Sequence, residues 1–199
     1  SFGRLIFIHN AAIYDINKHE ISLIRDVAGI KPLYFAQTKS GYIFASQYNQ
    51  IFKHPWFKAE VKINEESLSD YLRLGYIPAP SALFEKSWMI QNGSFITINS
   101  ELNVYSQEYH NLNDKSEYIE TDEFTSQKLS NILNTTFIDY VHSDVPMGSF
   151  LSGGVDSPLV NAILSNLGCK MNAFTISTNF LGINEAKNAR KISKHLGIN

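Results

Sequence analysis

The chain has 199 residues, with 17 Lys and Arg against 19 Asp and Glu, a formal net charge of −2 and a pI of about 6.3. Hydrophobic residues at 44% and charged residues at 18% describe a globular chain, not a disordered one, and the near-neutral balance without a Lys/Arg-rich run argues against nucleic acid as the main partner. No apolar stretch approaches the roughly 18 residues of a bilayer span, and the single cysteine, Cys169, excludes an internal disulfide and a thiolate metal cluster, which fits a reducing cytoplasm.

In chain order, the sequence opens without methionine and enters the apolar run Leu5-Ile6-Phe7-Ile8 at once, as though in the middle of a fold. Short strands are expected at Arg4–Ile8, Ala11–Tyr14, Ile21–Arg25, Leu33–Gln37 and Tyr42–Ala45, punctuated by Asp15-Ile16-Asn17 and Lys39-Ser40-Gly41. Their spacing suits antiparallel hairpins. Asn64, followed by Glu65-Glu66 and then Leu68, Tyr71, Leu72 and Gly75, reads as a capped helix ended by Pro78 and Pro80. Two more strands are expected near Phe95–Ile98 and Val104–Gln107. Asn111–Glu120 is polar and aperiodic, a linker. Beyond it a helix starting at Thr121 carries Phe124, Leu129, Ile132, Leu133, Phe137, Tyr140 and Val141 on one face. A strand at Val145–Leu151, a helix at Ser157–Leu167, a strand at Asn172–Ser177 and a helix at Glu185–Leu196 ending on Gly197 follow, the alternation of a parallel α/β sheet. Two such strands are too few for a complete sheet.

The chemistry concentrates in Ser152-Gly153-Gly154-Val155-Asp156-Ser157-Pro158, between an expected strand and an expected helix. In an open α/β sheet that is where ligands bind. The glycines bring backbone N–H groups close to an anion, the helix N-terminus favours phosphate oxygens, and the Ser152 and Ser157 hydroxyls can donate further bonds. Asp156 would repel phosphate directly but suits Mg²⁺, which takes a carboxylate together with phosphate oxygens. A Gly-Gly turn and a helix opening at Asp-Ser-Pro are also ordinary structure. A Walker loop is excluded because no Gly-Lys-Ser/Thr occurs, and a dinucleotide fingerprint because no G-x-G-x-x-G follows a strand.

Ser152–Ser157 resembles the pyrophosphate loop of ATP pyrophosphatases, and the wider run Ser143–Ser157 resembles the glutamine-hydrolysing asparagine synthetase family, as do Ala173-Phe174-Thr175-Ile176 and Asn184-Glu185 through Leu196-Gly197. Independently, Arg25-Asp26-Val27-Ala28-Gly29-Ile30-Lys31-Pro32-Leu33-Tyr34 and Phe44-Ala45-Ser46 resemble the C-terminal half of that family's glutaminase domain, and Tyr109-His110-Asn111-Leu112 sits where the family leaves it. Taken by themselves, Arg25-Asp26 and Gly29–Pro32 read as a hairpin turn without a catalytic role.

The resemblance implies an α+β, antiparallel N-terminal nucleophile hydrolase half-domain over residues 1–110. It implies an α/β, adenine nucleotide α-hydrolase-like parallel sheet, incomplete, over 111–199. It implies ATP and Mg²⁺, with Leu151, Ser152, Gly153, Gly154, Asp156, Ser157 and Ile176 binding ATP and pyrophosphate and Asp156 holding the metal; Leu151 and Ile176 are equally read as strand core. The implied reaction is glutamine-dependent amide synthesis through an acyl-adenylate, from aspartate or from another carboxylate, a sugar acid or a lactam precursor. Glutamine, the carboxylate and ATP are then the partners, with no nucleic acid and no membrane, in the cytoplasm, and a homodimer is compatible. No catalytic residue is expected within these residues: the family's cysteine nucleophile would lie upstream, Ser1 does not take its place, and Cys169 reads as a small core residue. The six histidines show no metal spacing. The chain is read as an internal fragment without turnover of its own. Departures are Pro158 for a usual second serine, Asn92-Gly93 for Pro-Gly, and Gln47 for an acidic residue. NAD or GMP synthetases and tRNA-thiolating enzymes share the loop but lack the β-rich half. A non-catalytic paralogue is disfavoured by the intact Asp156 and glycines, and slightly favoured by Pro158.

Overall fold

The computed structural model describes residues 10–59, 61–110, 123–141, 143–178 and 184–198. The strand expected at Arg4–Ile8, the linker Asn111–Glu120, Thr121 and Ser1 lie outside the described residues. The chain divides into two compact units, Ser1–Ser116 and Glu117–Asn199.

In the first unit, β1 (Asn10–Asp15), β2 (Glu20–Arg25), β3 (Tyr34–Thr38) and β4 (Gly41–Ala45) follow the expected hairpins, and all pairings are antiparallel. Two short helices come next, α1 (Tyr48–Lys53) and α2 (Pro55–Lys58), neither expected from sequence. Then α3 (Glu65–Leu74) is capped by Asn64, whose side chain accepts from Ser67 N–H at 3.0 Å. It stops at Gly75 in the left-handed region (φ 80°), whose N–H bonds the Tyr71 carbonyl. The stop is thus the glycine; Pro78 and Pro80 only follow it. A short strand missed by the sequence reading, β5 (Ser87–Met89), pairs with β3, while β6 (Ser94–Ile98) and β7 (Val104–Glu108) complete the unit.

The strands form two sheets, β1-β2-β6-β7 and β4-β3-β5. Their inner faces meet in one core, with Leu23 of β2 and Ile96 and Ile98 of β6 against Leu33, Phe35 of β3 and Ile90. The period of two along β3 sends Phe35 into that core and Ala36 to the opposite face, where Ile51 of α1 and Phe57 of α2 cover it. Arg25 is buried and donates from Nε to Lys31 O (3.1 Å), from Nη1 to Ile90 O (2.7 Å) and from Nη2 to Gly29 O (2.8 Å). Burial lowers its pKa, with the Asp26 charge opposing. Asp26 accepts from Ile30 N–H, so this motif folds a turn and docks it, as expected. Gly93, at φ 65°, has no room for a Cβ, which would stand 2.6 Å from the His110 carbonyl.

The second unit consists of α4 (Glu123–Tyr140), β8 (Met147–Phe150), α5 (Asp156–Asn166), β9 (Met171–Phe174) and α6 (Ala186–Leu196). Strands β8 and β9 pair in parallel, Met147 opposite Met171 and Phe150 opposite Phe174. Both are shorter than expected: Pro146 offers no N–H, and Ser143 Oγ ties off Val145 in a local turn. The apolar stripe expected on α4 is not a buried face within this unit, since Leu129, Ile132 and Tyr140 are exposed. Cys169 is a half-buried free thiol, not a core residue. No helix among the described residues is long and apolar enough to cross a membrane.

Candidate nucleotide site at the end of β8

Where β8 ends, Leu151 keeps its N–H on the Phe174 carbonyl at 2.8 Å and buries its side chain to 4% exposure. The chain then leaves the sheet and reaches α5 within four residues. Serine hydroxyls knit this turn. Ser152 N–H donates to Ser157 Oγ at 2.8 Å, the two hydroxyls lie 2.7 Å apart, and Gly154 N–H donates to Ser152 Oγ at 3.2 Å. Gly153 N–H donates to Glu185 Oε2 at 3.2 Å.

Neither Gly153 nor Gly154 has a positive φ among the residues that do, so the turn does not need a left-handed glycine. Gly153 is needed for close approach instead: an added Cβ would stand 3.1 Å from Asn188 Cβ of α6. The serine hydroxyls also differ from expectation. They are used first to hold one another and two loop amides.

The amides that remain are those entering α5. Among the described residues, no acceptor faces the N–H groups of Val155, Asp156 or Ser157, and no side chain caps this helix. Three unsatisfied donors at the positive end of an eleven-residue helix form an anion-binding arrangement. The helix opens at Asp156, one residue before the expected Ser157, so Pro158 is its third residue. Its missing N–H removes one orphan donor and no intrahelical bond. Asp156 opens the helix and is exposed.

A cavity of about 510 Å³ adjoins the turn, lined in part by Leu151, Ser152, Ser157, Phe174, Ile176 and Glu185. Four of the seven expected residues (Leu151, Ser152, Ser157 and Ile176) therefore share one cavity. Gly153, Gly154 and Asp156 belong to the adjoining turn. Ile176 is 82% exposed, a lining residue rather than strand core, whereas Leu151 is buried.

Two residues escaped the sequence reading as parts of this site. Asn161 is fully buried beneath the turn and donates from Nδ2 to Phe150 O (3.0 Å) and Ser157 O (2.8 Å), while its Oδ1 accepts from Ser149 Oγ. One amide thus fastens the end of β8 to the start of α5. Its only sequence signal is a polar residue one turn after Ser157 in an otherwise apolar stretch. Glu185 was noted only as part of a motif. The Ser157 hydroxyl, serving both Ser152 groups, gives a direct test: Ser157→Ala is expected to lower stability by about 1–2 kcal/mol in chemical denaturation, with Ser157→Thr recovering part of it.

Residues 3–110 match the glutamine amidotransferase domain family, and residues 128–199 match the asparagine synthase family. The chain is 28% identical over 186 residues to asparagine synthetase [glutamine-hydrolyzing] 1 of Bacillus subtilis (strain 168), covering 94% of this chain and 29% of that protein. It is 30% identical over 205 residues to asparagine synthetase [glutamine-hydrolyzing] 2 of the same organism, covering 96% and 27%. With a putative asparagine synthetase [glutamine-hydrolyzing] 2 of Methanocaldococcus jannaschii the identity is 28% over 177 residues, covering 85% and 33%. The chain therefore spans about a third or less of the length of these curated relatives. An amidotransferase match followed by a synthase match, in the order these relatives share along one continuous alignment, places the chain in the glutamine-hydrolysing asparagine synthetase family.

Proposed function

We propose that the protein carrying this chain is an ATP-dependent ligase that makes an amide from a carboxylate with glutamine nitrogen, aspartate to asparagine being the first reading. The observation that carries it is the turn after β8, where three free N–H groups open α5 with Asp156 as its first residue, next to a cavity lined in part by Leu151, Ser152, Ser157 and Ile176. In this reading the turn of Ser152, Gly153, Gly154 and Ser157 holds the β- and γ-phosphates of ATP against the free N–H groups of Val155, Asp156 and Ser157, and Leu151 and Ile176 bound the adenosine. The acceptor carboxylate oxygen bonds the α-phosphorus as its bond to the β-phosphate oxygen breaks. Ammonia then bonds the acyl carbon and AMP leaves. The negative charge growing on pyrophosphate is met by fixed donors that need no reorganisation.

Among the described residues no three acidic, histidine or cysteine side chains gather as a metal cage. A cation here would take Asp156 and complete its shell with phosphate oxygens and water, the environment Mg²⁺ favours, so the residues fit it. When bound, Mg²⁺ supplies charge neutralisation to the phosphates.

Residues 1–110 would then be the C-terminal part of an N-terminal nucleophile hydrolase glutaminase domain, and 111–199 the opening of an adenine nucleotide α-hydrolase-like synthetase sheet, acting in the cytoplasm. A sugar carboxylate or lactam precursor as acceptor is the second reading, kept open by Pro158, Asn92 and Gln47, where the family usually has other residues. The test supplies the full-length protein with ATP, glutamine and a panel of carboxylates. AMP and pyrophosphate in equal amounts with asparagine are expected; ADP and phosphate would overturn the reading.

A further inference from the structure

Of the loop amides between β8 and α5, those of Ser152 and Gly154 are satisfied by serine hydroxyls, which are neutral and local. The Gly153 amide differs: it is held by the carboxylate of Glu185, 32 residues further along the chain. Glu185 is the residue preceding α6, and its carbonyl anchors that helix by accepting from Asn188 N–H at 3.0 Å and Ala189 N–H at 2.9 Å. Its side chain makes no capping bond to its own helix, although a carboxylate there would be favoured by the α6 dipole. It reaches across to the neighbouring turn and lines the cavity with Ser152 and Ser157. The helix lies close to residue 153, where a Cβ would stand 3.1 Å from Asn188 Cβ and require a small shift. The main chain of Glu185 is thus held by α6, while its side chain is exposed.

We infer that Glu185 is an internal anion that competes with the diphosphate of ATP for the Gly153 N–H. The inference rests on the nucleotide reading above. A carboxylate and a phosphate oxygen cannot share one N–H, and side by side they repel. Binding therefore requires Glu185 to leave, and the population with Glu185 seated lowers the apparent affinity by that fraction. The same contact ties the state of the loop to the first turn of α6.

The test titrates the full-length protein with inorganic pyrophosphate and, separately, with MgATP. Glu185→Ala is expected to tighten pyrophosphate binding about threefold to tenfold, the weight of one charge-assisted bond at an exposed position. Glu185→Gln, which keeps an acceptor but removes the charge, falls between the two. In amide-resolved NMR the Gly153 signal should differ between wild type and Glu185→Ala without nucleotide and converge when MgATP is added, a readout that a merely structural role would not move. Unchanged or weaker pyrophosphate binding in Glu185→Ala, with wild type binding normally, overturns the role of Glu185 and leaves the nucleotide reading standing. No binding of MgATP or pyrophosphate to wild type overturns both.

Discussion

Replacing Asp156 by asparagine is expected to lower AMP formation in the full-length protein by at least about 100-fold, the scale on which removal of one transition-state electrostatic contact is felt, while glutamine hydrolysis continues near its original rate. Asp156 is the first residue of α5 and stands, exposed, among the free N–H groups of that helix. A carboxylate there gains on the order of 0.5 kcal/mol from the helix dipole at an exposed position, so the fold tolerates asparagine. The amide keeps size and hydrogen-bonding capacity but loses the charge that would hold Mg²⁺ against the phosphates. The expected signature is therefore selective: unchanged thermal stability within about 0.5 kcal/mol, unchanged glutaminase rate, and a collapsed synthetase rate. Asp156→Glu should recover little, because the longer side chain displaces the metal relative to amides that are fixed by the turn. A synthetase rate within threefold of wild type in Asp156→Asn would remove the metal role from this residue.

The difference between what could be read from the sequence and what could not follows contact range. The helix over Glu65–Leu74 was legible because its signals are local: Asn64 bonds an amide three residues on, and Gly75 closes the other end. The hairpins of the first unit were legible from a period of two and from turn residues. By contrast, α1 has six residues and follows Gln47, which makes no side-chain cap, and α2 has only four, although His54 Nδ1 accepts from Trp56 N–H at its start; both lie where Ile51 and Phe57 are buried against Ala36. β5 is three residues long and is specified by pairing with β3 across about fifty positions of sequence. The stripe on α4 misled for a related reason. Periodicity reports that a face is apolar and not what covers it, and within its own unit Leu129 and Ile132 stay exposed. At the site, Ser152–Ser157 was visible because glycine, serine and aspartate at a strand-to-helix turn carry their chemistry locally. Glu185 and Asn161 were not, since each acquires its role only when distant segments meet: Glu185 at Gly153, and Asn161 at Ser149 and Phe150.

Asn161 leads to the second large effect. Asn161→Leu is expected to lower stability by about 3 kcal/mol, because it leaves the Ser149 hydroxyl and the Phe150 carbonyl without this partner and removes a second bond from the Ser157 carbonyl; each lost bond to a buried group weighs about 1 kcal/mol or more. Leucine keeps the branching of asparagine at Cγ but is larger, so the loss reports unsatisfied polar groups together with overpacking at a fully buried site, and no cavity. The same amide sets the separation between the end of β8 and the start of α5, and with it the Ser152 N–H to Ser157 Oγ bond that closes the turn. Pyrophosphate affinity should accordingly fall about tenfold at a temperature where the variant remains folded, equivalent to ~1.4 kcal/mol. Asn161→Asp separates donor loss from packing loss. Its carboxylate still accepts from Ser149, yet it presents no donor to the two carbonyls and buries a charge, so it should cost at least as much as leucine. If denaturation of Asn161→Leu instead came within about 0.5 kcal/mol of wild type, the strand and helix would be joined by packing alone. The turn proposed to seat the anion would then owe its shape to Ser152 and Ser157 without support from beneath.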